Sequence, residues 1–430
     1  MQLISIFVSG FRNVYSSKLM LEDILSIVSL NSYGKSNLLH AIDFGVDFIK
    51  APNDVKERMM RWTRGIPLNK KTANVDFSIE LEFLTQRPGR MHRVQYGYSF
   101  RWLRNDGNGK RILSEYLRMK SDEKGSRYSL LLKRENNEAY YKSSVKGRCD
   151  SRISIESNGL IVNKLQAFDD LYYLDVLREI NEISVYVDRH FDTQSSYKPN
   201  PVMSKGIDDL SFESTEHLPR TIYHLKKKHP DRYILLMDAY RQLFPQFKNI
   251  RVVEANVRGK MEKLLVKELP FTISDKIYSL YVEDKNLNQA ISFEALSDGA
   301  QRVFLLLSNL ILAELNHLTL IAIEEPENSV HPGLFQRYLQ ILAALAGDVR
   351  IVMTSHSPYI LQYQHPENIY IGLPNADGIA QFQRIRPSAQ KTLLAAAAEE
   401  DMSLGDYVFE LLSNPADESN ILASYMEPVS

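Results

Sequence analysis

Apolar residues alternate with polar ones from Val75 to Phe83. Val75, Phe77, Ile79, Leu81 and Phe83 share one face, and Asp76, Ser78, Glu80 and Glu82 the other. That period of two predicts a strand with one buried side. Stretches of β character follow at Val94–Trp102, Tyr128–Lys133 and Arg152–Ile155, divided by polar turns such as Asn105-Asp106-Gly107-Asn108-Gly109, so 75–160 reads as an antiparallel lobe. Other apolar runs are continuous: 3–8, 24–28, 318–323 and 349–353 each predict a buried strand. Helical spacing appears at Leu38, Leu39, Ile42, Val46 and Ile49, and again at Val303, Leu305, Leu306, Leu307 and Ile311. The pattern is also helical over 165–187 and 216–247, whereas 189–212 is a polar connector containing Ser and Pro. Strands are expected again at 250–257, 262–266 and 277–282. In the tail, Leu393–Ala398 is a strong helix former, and Ser403 caps a short helix through Leu412. No heptad run is long enough for coiled-coil arms.

Composition narrows the class without naming a function. The 430 residues carry a net charge of −1, with 44% hydrophobic and 24% charged residues, as in an ordinary globular protein. Near-neutral charge removes any global electrostatic case for nucleic-acid binding and leaves only local patches. Cys149 is the single cysteine, which excludes a disulfide framework and a cysteine zinc site and fits a reducing cytoplasm. The N-terminus lacks a basic region and a cleavage site, and the longest apolar run, Val303–Leu315, is broken by Ser308, Asn309 and Glu314. A cytoplasmic protein with no membrane span is expected.

The chemistry-bearing residues fall in five places. Ser29-Leu30-Asn31-Ser32-Tyr33-Gly34-Lys35-Ser36 lies between a strand and a helix, and follows the phosphate-loop pattern G-x-x-x-x-G-K-[ST] except for Ser29 in place of the first glycine. Leu296-Ser297-Asp298-Gly299-Ala300-Gln301-Arg302 opens an apolar helix at a good cap, a place where free N–H groups attract anions. The strand at 318–323 delivers Glu324 and Glu325 to its C-terminal edge, where open α/β sheets bind ligands; adjacent carboxylates there invite Mg²⁺. Asn328-Ser329-Val330-His331-Pro332 follows at once. The strand at 349–354 ends in Ser355-His356-Ser357-Pro358, which brings a histidine to the same edge.

Taken in this order with Gly10-Phe11-Arg12-Asn13, these segments resemble the ABC-type ATPase heads of the SMC/RecF/OLD class, close to the compact AAA-like ATPases of bacterial anti-phage systems. His217-Leu218-Pro219 and Leu243-Phe244-Pro245 resemble the helical lid of these proteins, while 84–215 match only in general character. The resemblance implies an α/β fold: an ABC-ATPase head with a P-loop mixed sheet and an antiparallel β lobe, a helical lid insertion and no long coiled coil. It implies four parts. Residues 1–83 form the N-terminal part of the ATPase core, 84–290 the β lobe and lid, 291–385 the C-terminal part of the core, and 386–430 a helical tail.

It also implies roles. Asn31, Gly34, Lys35, Ser36 and Asn37 would line the phosphates of ATP, with Ser36 and Glu324 holding Mg²⁺. Arg12 would lie near the nucleotide, Glu325 would act as general base, and His356 would sense the γ-phosphate. Ser297 and Gly299 would reach the nucleotide of a second protomer, in a head-to-head dimer or a higher oligomer, with 328–331 where the protomers meet, and Gln301 would also belong to the nucleotide site. The glutamine that such ATPases place near the metal is either Gln86 or Gln166. Ser29 and Ser32 replace loop glycines and Tyr33 replaces a small residue, which predicts slow turnover; Tyr33 either crowds the phosphates or stacks outward.

The stretch after His356 is too short for the TOPRIM nuclease of OLD-type proteins, so any cutting is expected from a separate effector or nuclease. The expected function is the sensor subunit of a defence system of the Septu or PARIS kind. The alternative is a repair or recombination ATPase that clamps DNA through the basic residues of 56–71 and Arg87, Arg90, Arg93, Arg101 and Arg104, with Tyr96, Tyr98 and Trp102 beside them. A third possibility is a nucleotide-gated scaffold that does not hydrolyse.

Overall fold

The computed structural model describes residues 1–104, 107–188, 193–204, 208–212, 217–256, 271–373, 377–413 and 418–428. The chain forms two compact units. The first comprises 1–188, 318–324 and 348–430, and the second 189–317 and 325–347.

The first unit contains two sheets. An eight-stranded antiparallel sheet is built from Gln2–Phe11, Val14–Met20 and six strands between Phe77 and Arg152. The alternation at 75–83 becomes the strand Phe77–Arg87, and Val94–Trp102 becomes Arg90–Arg101. Strands at Arg111–Ser121 and Glu138–Lys142 had no clear counterpart in the pattern. The helix Lys35–Lys50, called here the loop helix, packs on this sheet through aromatic rings. Phe48 stacks on Phe100 at 4.9 Å, Phe44 meets Phe77 at 5.3 Å, and the Tyr98 hydroxyl donates to Gly45 O. Gly45 permits that approach, since a Cβ there would stand 2.6 Å from the Ile79 side chain.

The loop helix is held at its far end by a buried cation. Lys56 is 1% exposed, and its ammonium donates to the carbonyls of Ile49 and Ala51 and to Asn163 Oδ1. These carbonyls end the helix, where its dipole favours positive charge. Burial lowers the Lys56 pKa to about 8.

The second sheet of this unit has six strands in the order Val185–Asp188, Leu320–Glu324, Arg350–Ser355, Ile24–Val28, Ile369–Gly372, Phe382–Arg384; all but the last pair are parallel. The region read as one helical stretch over 165–187 is instead two short helices, Ile161–Leu165 and Leu174–Glu182, followed by the strand Val185–Asp188. Tail helix Leu404–Ser413 lies tightly against Pro358, where a Cβ on Gly405 would come within 2.2 Å of the Pro358 carbonyl.

The second unit gathers the helices Leu218–Lys228, Pro230–Leu243, Asp298–Leu315 and Pro332–Ala346 with a three-stranded antiparallel sheet, Phe247–Asn256, Lys276–Asp284 and Ile291–Ser292. Tyr240 organises its core: its ring packs on Phe244, Phe247 and Phe304, and its hydroxyl donates to Ala300 O. The polar connector at 189–212 holds a short helix, Thr193–Tyr197, and a strand, Val202–Ser204. The strand expected at 262–266 lies outside the described residues. No described helix is long and apolar enough to cross a membrane, and none forms a long coiled-coil arm.

Candidate active site

Parallel strands place their C-terminal ends in one row. Val28 pairs with Ser355, Glu324 with Thr354, and Asp188 with Ile323. With strands about 4.8 Å apart, the end of the His356 strand stands about 5 Å from that of the loop strand, and that of Glu324 about 10 Å. The phosphate loop leaves Val28 into this row, and Ser29 N donates to Ser355 O. The first unit therefore brings Lys35, Ser36, Glu324 and His356 to a single sheet edge.

The loop departs from the glycine pattern in two physically different ways. Ser32 takes φ 61, the left-handed conformation for which glycine is normally required. Ser29 does not take a positive φ; it is buried, and its hydroxyl donates to Leu30 O. Gly34 caps the loop helix at φ 122, and a Cβ there would meet Ala380 and Asn13 at under 3 Å. No side chain caps the helix there, and the first N–H groups of a helix have no partner within it, which is the kind of end that attracts anions. Asn31 is exposed on the loop. Lys35 is 7% exposed, and its ammonium donates to Ser29 O at 2.8 Å and Leu30 O at 3.1 Å.

Tyr33 stacks outward. Its ring meets Phe382 edge-on at 5.6 Å and lies over Gly372, and its hydroxyl bonds the backbone of Gln381. It does not crowd the loop. Arg12 and Asn13 form the turn between the first two strands. Asn13 Nδ2 donates to Tyr33 O, and Asn37 Nδ2 donates to Asn13 Oδ1, so the turn and the loop are tied together.

Glu325 follows Glu324 in a left-handed conformation, φ 49, and caps a short 3-10 turn, Pro326–Ser329; its carboxylate accepts from Asn328 Nδ2 at 2.8 Å. Strained backbone at such a point often marks function. Glu325 and 326–331 belong to the second unit, as does the helix Asp298–Leu315. There Ser297 caps Asp298–Leu315, accepting from Ala300 N, and is exposed, as Asp298 is; Gly299 is half-buried. Gln301 is different. It is fully buried, and its amide donates to Glu294 O and Leu296 O, bracing the turn before the helix rather than presenting itself to a ligand.

Neither candidate glutamine reaches the sheet edge. Gln86 is exposed on its strand next to the hairpin Arg87–Arg90, at the opposite end from Ser78, whose partner Ser9 leads into the Arg12 turn. Gln166 follows a short helix and donates to Leu177 O. A second acid at the edge, beside Glu324, is Asp188, 9% exposed on the neighbouring strand. Its signal was present in the sequence: Val185-Tyr186-Val187-Asp188 is an apolar strand ending in an acid, like Ile321-Ala322-Ile323-Glu324.

The residues suit magnesium as nucleotide enzymes take it. Among the described residues no cluster of three or more His, Cys, Asp or Glu could hold a metal alone. Mg²⁺ commonly binds through one or two protein oxygens plus substrate phosphates, a set that Ser36 and Glu324 match.

Part of the basic stretch expected to contact DNA is structural, while Arg58, Arg61, Arg64, Lys70 and Lys71 are exposed. Tyr96, Tyr98 and Trp102 are at most 3% exposed and belong to the core, so they offer no base a stacking face. Lys56 is buried, Arg87 pairs with Asp175, Arg93 with Glu82 and Asp122, and Arg101 and Arg104 share Asp76.

A family model described as "AAA domain, putative AbiEii toxin, Type IV TA system" matches residues 30–362. No curated protein matches the sequence. Among solved structures, an SMC head bound to the C-winged helix domain of ScpA is similar over 91% of this chain and 100% of its own, with 13% identity and a TM-score of 0.51, which shows the SMC-head fold. The SMC head domain from Thermotoga maritima (12% identity, 90% and 100% of the two chains, TM-score 0.42) adds no weight at that score. Nor does the Pyrococcus furiosus Smc head with an extended coiled coil, bound to the C-terminal domain of ScpA (12% identity, 92% and 99%, TM-score 0.45).

Proposed function

The chain belongs to the AAA family described as a putative AbiEii toxin of type IV toxin–antitoxin systems, an ATPase family, and from that premise we propose that it binds ATP with Mg²⁺, hydrolyses it slowly, and works as the regulatory subunit of an anti-phage defence system. One observation carries the catalytic part: the phosphate loop, Glu324 and His356 stand on neighbouring strand ends of one sheet.

In this reading Lys35 exchanges the carbonyls of Ser29 and Leu30 for β- and γ-phosphate oxygens, and the N–H groups after Gly34 bind the same phosphates. Ser36 and Glu324 hold the Mg²⁺, which when bound offsets phosphate charge. Glu325 accepts a proton from water as its oxygen bonds to the γ-phosphorus, and the β–γ bridging bond breaks to release ADP. Asn328 orients the Glu325 carboxylate. His356 senses the γ-phosphate. Ser297 and Gly299, at the exposed start of their helix, reach the nucleotide of a second copy in a head-to-head dimer or higher oligomer, while Gln301 shapes the turn that presents them.

We take 1–83 and 291–385 as the two parts of the ATPase core, 84–290 as lobe and lid, and 386–430 as the tail. The cellular role we propose is a cytoplasmic assembly that restrains or releases a separate toxic effector, as in Septu- or PARIS-type systems. The buried aromatics of the basic stretch speak against a DNA clamp. The test is ATP turnover and particle mass for the wild type, Lys35→Ala and Glu325→Gln. Wild-type turnover 10²–10⁴ times that of Glu325→Gln is expected, with a doubling of mass in ATP and Mg²⁺ that Lys35→Ala fails to show. A wild type no faster than Glu325→Gln would leave a nucleotide-gated scaffold instead.

A further inference from the structure

The Arg12 guanidinium is gripped from several sides. Its Nε donates to Arg64 O at 2.6 Å, and its Nη1 lies 2.7 Å from Asn37 Oδ1 and 3.0 Å from His40 Nδ1. Its plane also lies near the rings of Phe11 and Trp62, at 5.4 and 5.9 Å. A guanidinium donates only and does not lose its protons in a folded protein. The His40 nitrogen facing it must therefore accept. That fixes the tautomer: the lone pair is on Nδ1 and the proton on Nε2. Asn37 and His40 sit three residues apart on the same face of the loop helix, within its first two turns, so both acceptors reach one nitrogen of the arginine.

The backbone of Arg12 makes the grip necessary. Arg12 takes φ 49 in the turn, a conformation that non-glycine residues adopt at a cost, and the side chain must cross from that turn to the loop helix. A long flexible side chain loses much rotamer freedom when held in a single pose. Acceptors fixed on a helix supply that order before any ligand arrives.

We infer that His40 is a positioning residue for the ATP reaction: its neutral imidazole, through Nδ1, holds the Arg12 guanidinium beside the first turns of the phosphate-loop helix. The inference rests on the reading of Arg12 as a nucleotide contact. His40 itself touches no substrate and acts through Arg12.

The experiment is a double-mutant cycle on the full chain. ATP affinity with Mg²⁺, kcat and KM are measured for Arg12→Ala, His40→Leu, His40→Gln and the Arg12→Ala/His40→Leu double variant, with a thermal melt for each. His40→Leu is expected to lower kcat/KM about tenfold, the scale of one hydrogen bond to a charged group. His40→Gln keeps a neutral acceptor and is expected to recover most of the loss. In the Arg12→Ala background, His40→Leu is expected to change nothing further. An undiminished His40→Leu loss in that background overturns the inference, as does a His40→Leu variant equal to wild type while Arg12→Ala is impaired. If Arg12→Ala itself matches wild type, the reading of Arg12 as a nucleotide contact fails, and His40 falls with it.

Discussion

Replacing each loop serine by glycine moves the sequence toward the standard phosphate-loop pattern, yet the structure predicts opposite results at the two positions. Ser32 sits at φ 61. A side chain there costs about 1–2 kcal/mol relative to glycine, and the greater freedom of glycine in the unfolded chain returns roughly 0.5–1 kcal/mol of that. Ser32→Gly should therefore stabilise the folded protein by about 0.5–1 kcal/mol. Ser29 has no strained φ to relieve. Its hydroxyl bonds Leu30 O and lies 3.4 Å from the Lys35 ammonium, inside a buried strand end. Ser29→Gly loses those contacts and adds backbone entropy, a cost of about 1–2 kcal/mol. Urea unfolding, beside a thermal melt of each variant, reads both signs. If Ser29→Gly stabilises the protein as much as Ser32→Gly does, the account of this loop is wrong.

Three further substitutions test other contacts. Gly34→Ala puts a Cβ against Ala380 and Asn13 at φ 122, and should abolish ATP binding in a protein that still melts cooperatively. Gly372→Ala places a methyl 2.5 Å from the Tyr33 ring, and should weaken ATP binding severalfold; the same change in a Tyr33→Ala background should cost less, the remaining close approach being to Phe382 at 2.9 Å, as titration of both would reveal. Glu115 is fully buried, and burial raises its pKa to about 7 despite N–H groups of Val162 and Ile161 and the Tyr96 hydroxyl that favour the carboxylate. The folded state thus binds the proton more tightly than the unfolded chain. Its contribution is full below pH 4.5 and is lost as the pH rises through 7, by about 3 kcal/mol. Urea unfolding at pH 4.5 and 8 should show that decline in wild type and not in Glu115→Gln; equal slopes would refute it.

The legible parts of this molecule were those in which local pattern and tertiary role agree. Ile24–Val28, Leu320–Glu324 and Arg350–Ser355 are buried on both faces, so their apolar runs announce them, and the ligand edge follows from what ends each run. Val185–Asp188 was missed because it is short and directly follows a helix; only its pairing with Leu320–Ile323, far along the chain, makes it a strand. Lys56 sits in a stretch rich in basic residues and was read with them. Its sequence neighbours do not reveal that three acceptors from the loop helix and Asn163 await it. Nor does the sequence around Gln301 reveal that its side chain is buried and braces the backbone of its own motif.

The strand that carries the phosphate loop has neighbours only from the far end of the chain: Arg350–Ser355 on one side and Ile369–Gly372 on the other. During synthesis, Ile24–Val28 emerges early and must wait for more than three hundred residues before either partner exists. At about 5–20 residues per second the wait is on the order of tens of seconds. For that time an apolar strand with open edges is exposed to other nascent chains, and a chaperone that shields it should raise the yield of folded protein. The same ordering gives a safeguard: a chain cut short before Arg350 carries the loop motif but lacks the sheet edge that would make it an ATPase.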